Sequence, residues 1–264
     1  MSLAVLVQTL KDKARGTGLA VLLILVFVTY MVIMFPEMSK MAGLEELMSS
    51  PTIQALLGKT ANFTTFDGLM STEAFTLLGL IICGYIGFVA ASFLAGEIEM
   101  KTIDLLLAQP VTRVRLVVMR YGVLVPIAVT LMLAMLASIY LGTQYMNIAA
   151  SYDWFAYALV CLGLFTLSFG AISLFVSAIL SDGRAAAIVS LGILFIMYFM
   201  ETVGQSVEKL SIVRSLSLFH YAQYSDMLIY HDLSPGNMAV LATVAIVFLG
   251  LAAFAFRHRD INVA

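Results

Sequence analysis

Trp154 to Leu180 reads WFAYALVCLGLFTLSFGAISLFVSAIL, an apolar run with no charged side chain along its length. About 20 helical residues at 1.5 Å rise each cross the hydrocarbon of a bilayer. A strand of a membrane barrel would be about 10 residues of alternating polarity. This run is longer and apolar on every face, and only a helix satisfies such a backbone in lipid. Working outward, similar runs lie near Leu19 to Phe35, Ala74 to Ala95, Leu116 to Leu141, Ala185 to Met200 and Met238 to Phe256. The expected fold is an all-α polytopic membrane protein of about six transmembrane helices, forming a single domain over 1–264.

Composition points the same way. Of 264 residues, 62% are hydrophobic and 11% charged, against roughly 45–50% and about 25% in a soluble domain. The mean hydropathy is +1.02. A chain of this length could bury an aqueous core but would still need a charged skin, so lipid is the solvent for most of its surface. A net charge of -2 offers no basic field for nucleic acid, which is set aside as a partner. Cys83 and Cys161 fall inside apolar runs and read as small buried hydrophobes. The first run follows Lys11, Lys13 and Arg15, but it is longer than a signal core and no small-x-small cleavage site follows Phe35-Pro36-Glu37. It reads as a retained span.

Segments left in the cytoplasm carry the Lys and Arg excess. With the N-terminus inside, Lys11, Lys13, Arg15, Lys101, Arg113, Arg115, Arg120, Arg184, Arg257 and Arg259 are cytoplasmic, and only Lys40, Lys59, Lys209 and Arg214 are external. The expectation is a multi-pass protein of the cell membrane with both termini cytoplasmic. Residues 1–15 place Leu3, Leu6, Val7 and Leu10 at helical spacing, as an amphipathic helix on the inner membrane surface would. Two external segments follow: 36–73, with a short helix expected over Pro51 to Leu57, and 204–236, apolar enough to suggest a re-entrant pair.

The chemistry-bearing stretch is the cytoplasmic segment 96–113, GEIEMKTIDLLLAQPVTR. It combines acidic residues with a leucine triplet and stops at Pro110, which cannot continue a helix. The reading is a short helix that begins around Glu97, exposes Glu99, Thr102 and Asp104, and makes a docking knob. The order of Glu99-Met100-Lys101-Thr102, Leu105-Leu106-Leu107 and Pro110-Val111-Thr112-Arg113 between the second and third spans resembles the ABC-2 type permeases of ABC transporters. Further similarities lie in Ser181-Asp182-Gly183-Arg184-Ala185, Leu218-Phe219-His220-Tyr221 and Phe256-Arg257-His258-Arg259-Asp260-Ile261. Lys101 departs from the pattern, since the family usually has glycine there.

That resemblance implies an ATP-driven exporter of two permease subunits, alike or different, each seated on a cytoplasmic ABC ATPase subunit. ATP and Mg would be bound by that partner, and this chain would have no cofactor or catalytic residue of its own. It further implies that 97–113 is the coupling segment, with Glu97, Glu99, Lys101, Thr102, Asp104, Leu105, Leu106, Gln109, Pro110 and Arg113 meeting the ATPase. Closure of the ATPases would push on this knob and switch the bundle between two states.

Other signals carry less. Gly58-Lys59-Thr60 resembles the end of a phosphate-binding loop, but the glycine needed five residues before the Gly-Lys pair is Ile53. His220, His231 and Asp232 lack the tight spacing of metal ligands. Asn62-Phe63-Thr64 fits a glycosylation acceptor only in a eukaryotic secretory setting. An ion- or proton-coupled secondary transporter and an intramembrane enzyme are the alternative function classes. Both need ionisable groups at depth, and charge here stays near span ends at Glu73, Arg120 and Glu201. Ser168, Ser173 and Ser177 have no His or Lys at helical spacing to activate them. The scarcity of polar groups suggests an apolar or amphiphilic cargo, and the 16 methionines read as packing and lipid-facing residues. Gly84, Gly87, Ala90 and Ala91 would allow close helix contact, so a seam between two copies, or the transport path, is expected on that face.

Overall fold

The computed structural model describes residues 2–39, 65–101, 112–206 and 214–259. The helices are α1 (Ser2–Ser39), α2 (Phe66–Glu99), α3 (Arg113–Met146), α4 (Tyr152–Ile179), α5 (Gly183–Ser206), α6 (Tyr224–Ile229) and α7 (Pro235–His258). A π turn occupies Met70–Phe75 within α2, and a 3₁₀ turn lies at Leu218–Tyr221. No strand occurs among the described residues. All of the helices except α6 are long and apolar enough to cross a membrane, giving six spans.

The apolar runs read from the sequence lie inside these helices, apart from Leu180, which caps α4 in extended conformation, and the helices otherwise overshoot the runs. α3 shows why, because polar capping residues rather than hydropathy set its ends. Thr112 Oγ1 accepts the Arg115 N–H at 3.3 Å, which satisfies an orphan donor of the first turn. At the other end Asn147 is left-handed (φ 53), and the Ile148 N–H donates to the Thr143 carbonyl at 3.0 Å. Asparagine tolerates that conformation better than most side-chain-bearing residues, and the closure satisfies a terminal carbonyl.

Successive spans run in opposite directions, so the bundle has two ends. One gathers the start of α1, the end of α2, the starts of α3 and α5 and the ends of α4 and α7; it is called the α2–α3 end below. α4 is the central helix, packing on α2, α3, α5 and α7, while α1 lies mainly against α3. Lipid supplies little hydrophobic force between helices, so close packing and interhelical hydrogen bonds hold the bundle. Phe155, Phe165 and Phe169 of α4 are fully buried. The Thr29 and Ser138 hydroxyls meet at 3.0 Å between α1 and α3, and the Tyr121 hydroxyl donates to the Leu167 carbonyl at 3.1 Å between α3 and α4. Ser168 Oγ lies 2.7 Å from the Leu241 carbonyl of α7.

Three expectations change. Residues 1–15 do not form a separate surface element: from Ser2 onward they are the first turns of α1, with no break before the span. Thr9, Lys13 and Thr17 explain the continuity, since each bonds to α2 or α3. The small-residue face of α2 is not left over for a second copy. A Cβ at Gly87 would lie 2.5 Å from Phe169 Cε1 of α4, one at Gly84 would touch Leu191 and Leu194 of α5, and Ala90 and Ala91 are fully buried. Finally, no new helix begins at Glu97, because Glu97 and Glu99 form the last turn of α2.

The described part of the apolar second segment, from 214 on, is a folded cap at the end opposite α2–α3. Leu218, Met227 and Leu228 are buried, and Tyr224 packs on Phe75 with ring centroids 5.4 Å apart. A helix over Pro51 to Leu57 lies outside the described residues.

Candidate functional site

α2 ends at the stretch from which the sequence reading drew its docking knob. The Met100 N–H donates to the Gly96 carbonyl and the Lys101 N–H to the Ile98 carbonyl, both at 3.0 Å. Lys101 is left-handed, with φ 56. A helix closes in this way most cheaply with glycine, because a Cβ crowds the following carbonyl. Lys101 therefore holds a position suited to the glycine that the resemblance leads one to expect. The site residues Thr102, Asp104, Leu105, Leu106, Gln109 and Pro110 lie outside the described residues; the chain is described again from Thr112, which caps α3.

Both feet of this connection are bonded into the bundle. On the α2 side, Glu97 Oε1 lies 2.5 Å from Arg120 Nη2 of α3. Arg120 is buried, donates also to Thr9 Oγ1 of α1 at 2.9 Å, and has its guanidinium over the Phe93 ring at 5.6 Å. An ionised side chain this deep in an apolar run persists because a carboxylate, a hydroxyl and an aromatic face surround it.

Two residues on, Glu99 Oε2 accepts the Gly183 N–H, the first of α5, at 2.9 Å. A carboxylate at a helix N-terminus meets unsatisfied N–H groups and the positive end of the helix dipole. Asp182 Oδ1 adds to this by accepting the Arg184 and Ala185 N–H groups at 2.7 and 3.0 Å. The helices touch backbone to backbone here: a Cβ on Gly183 would stand 3.0 Å from Gly96 Cα.

On the α3 side, Arg113 donates to the Arg259 carbonyl at 2.7 Å, at the end of α7. Arg259 in turn donates from Nη1 to the Ala178 and Leu180 carbonyls at 2.8 Å, and from Nη2 to Ser181 Oγ at 2.5 Å. Each guanidinium thus fills the carbonyls left open at the C-terminus of a neighbouring helix, where the dipole favours a cation. Partial burial lowers the Arg259 pKa from its ordinary value, yet an arginine stays charged.

Together, α1 through Thr9, α2 through Glu97 and Glu99, α3 through Arg113 and Arg120, α4 through its last carbonyls, α5 through Gly183 and α7 through Arg259 are tied at one end. The profile of the ABC-2 family transporter protein matches residues 3–261. The chain belongs to the ABC-2 transporter family. No curated protein matches it significantly. As an ABC-2 permease it is the membrane component of an ABC transporter, associated with an ABC ATPase partner and distinct from it.

Of the residues expected in the permease's coupling segment, the structure brings Glu97, Glu99 and Arg113 into the bonded end and places Lys101 at the helix turn. Sequence reasoning put Arg120 and Arg259 on the cytoplasmic side but gave no bonding role at that end to either of them, to Thr9 or to Gly183. Arg120 carried a usable signal, since an ionised group inside an apolar run marks a site by default; the pairing of Arg259 with the end of α4 carried none. At the opposite end His231 stacks on Trp154 at 4.9 Å, and His220 meets Tyr221 edge-on at 5.1 Å. Among the described residues no three His, Cys, Asp or Glu side chains gather as a metal site.

Proposed function

We propose that this ABC-2 permease couples ATP hydrolysis by a separate cytoplasmic ATPase subunit to export of an apolar or amphiphilic substrate. The observation that carries the reading is the bonded α2–α3 end. A load applied to the connection enters through Glu97 and Glu99 on one side and Arg113 on the other, whose bonds reach α3, α5 and α7 directly and α1 and α4 through Arg120 and Arg259. Hydrogen bonds to helix termini and a buried ion pair resist local slippage, so the spans respond together rather than one loop yielding alone.

The α2–α3 end faces the cytoplasm in this reading. Lys11, Lys13, Arg15, Arg113, Arg115, Arg184, Arg257 and Arg259 sit at or beside it, which is the distribution the positive-inside rule assigns to the cytoplasmic side. ATP and Mg belong to the ATPase, and the 102–111 part of the connection meets that subunit. A second permease subunit, the same chain or a relative, completes the transporter across the membrane.

The test is purification of the tagged chain from its native membrane in mild detergent, with mass spectrometry and an ATPase assay on the eluate. A copurifying ATPase with an intact phosphate loop, lost in Leu106→Asp while membrane insertion is unchanged, is the expected result. Recovery of the chain alone and without ATPase activity would overturn the coupling reading and return attention to ion-coupled transport.

A further inference from the structure

A side chain from another helix bonds to both partners of one rung of the α2 backbone ladder. In a regular α-helix the Ala95 N–H bonds to the Ala91 carbonyl, four residues back. Here the Ala95 N–H donates to Ser177 Oγ at 2.9 Å, the Leu94 N–H donates to the same oxygen at 3.1 Å, and the Ser177 hydroxyl donates to the Ala91 carbonyl at 2.6 Å. A hydroxyl has one donor and two acceptor positions, so α2 backbone saturates it. Insertion of a side chain into the i→i−4 ladder is one of the recognised causes of a helix bend.

The surroundings favour movement at this point. Ala91 and Ala95 pack with Val176 of α4 and with Ala186 and Ala187 of α5 in a small cluster separate from the main core. These side chains are short and interlock little, which suits sliding better than a face of large residues would. One turn further along, Glu97 and Glu99 carry the bonds to α3 and α5. Bending a helix in apolar surroundings ordinarily strands an N–H and a C=O at substantial cost. Ser177 is already bonded to both groups and removes that cost.

We propose that Ser177 is a positioning residue, which lets the last turns of α2 beyond Ala91 pivot on the rest of that helix as the coupling segment moves. The role rests on the coupling reading, but the pivot itself is a property of this chain and can be measured separately. Without the hydroxyl, the Ala95 N–H and the Ala91 carbonyl have only each other as partners and the rung stiffens.

The experiment is backbone hydrogen exchange over 92–101 in the permease–ATPase complex in lipid nanodiscs, comparing wild type with Ser177→Ala, which lacks only the oxygen, and Ser177→Thr, which keeps a hydroxyl. The expected result is exchange about fivefold slower in Ser177→Ala, on the scale of one modest backbone hydrogen bond, with near wild-type exchange in Ser177→Thr. ATP hydrolysis in Ser177→Ala should continue while transport falls. Exchange that is unchanged or faster in Ser177→Ala would show that Ser177 only staples α4 to α2 and would overturn the pivot. Leu106→Asp, run in parallel, separates the two ideas: if it fails to release the ATPase, the coupling reading falls, while the exchange comparison still decides the pivot.

Discussion

At Lys101 a single backbone dihedral links sequence to stability. The left-handed turn that ends α2 costs a residue with a Cβ roughly 1 kcal/mol relative to glycine. Lys101→Gly should therefore stabilise the chain by about 0.5–1 kcal/mol, read as a rise in the thermal midpoint in detergent. A fall would show that the lysine side chain contributes more than the turn loses. Arg120 and Glu97 make the second residue-scale case. Removing one member of a buried pair strands the other, so Arg120→Gln should cost about 3 kcal/mol, the low end for a pair whose carboxylate is partly exposed. Glu97→Gln added to it should cost far less than the two singles summed. A double-mutant cycle on unfolding measures this, and additive singles would show that the pair is not energetically coupled.

Among elements, the α2–α5 contact makes an asymmetric prediction about two glycines that face each other. A Cβ on Gly183 would meet Gly96 Cα at 3.0 Å, Glu99 Oε2 at 3.1 Å and Gly96 N at 3.2 Å, whereas a Cβ on Gly96 would meet only Ser92 Cβ at 3.9 Å. Backbone cannot swing aside as a flexible side chain can. Gly183→Ala should then cost about 1–3 kcal/mol as the helices are forced apart. Gly96→Ala should be neutral or gain up to about 1 kcal/mol from helix propensity. Thermal unfolding of the two variants side by side checks this, and equal losses would sink the backbone-contact account. Arg113 and Arg259 show the same logic from the C-terminal side, each completing the last carbonyls of a helix it does not belong to.

For the whole molecule the question is how a load at one end reaches every span. Six helices joined only by side-chain packing could slide individually, but here their termini are tied by hydrogen bonds and an ion pair at one end. Weakening the ties should leave a folded permease that still binds its ATPase yet transports poorly. Glu99→Gln retains an acceptor for the Gly183 N–H but loses the charge. We expect it to reduce transport several-fold at unchanged ATPase association, measured in reconstituted vesicles. Loss of association instead would place Glu99 in the docking surface itself.

The membrane solvent, the helical class, the six spans and the family are all legible in the linear order of residues. Each follows from run length, from hydropathy or from the order of short motifs along the chain, and all of these are properties of neighbouring residues. Span ends were less legible, because caps such as Thr112 and Asn147 set them and a hydropathy average does not register caps. Helix packing alone brings Arg120 to Thr9 and Glu97, Glu99 to the start of α5, Arg259 to the end of α4 and Ser177 to the backbone of α2. It also sets the small face of α2 against neighbours within the chain and makes residues 2–15 part of α1. Those partners are separated by 23 to 111 residues in the ion pair and hydrogen bonds of Arg120 alone. A side chain's partner across a bundle is fixed by helix rotation and packing, which no local pattern specifies.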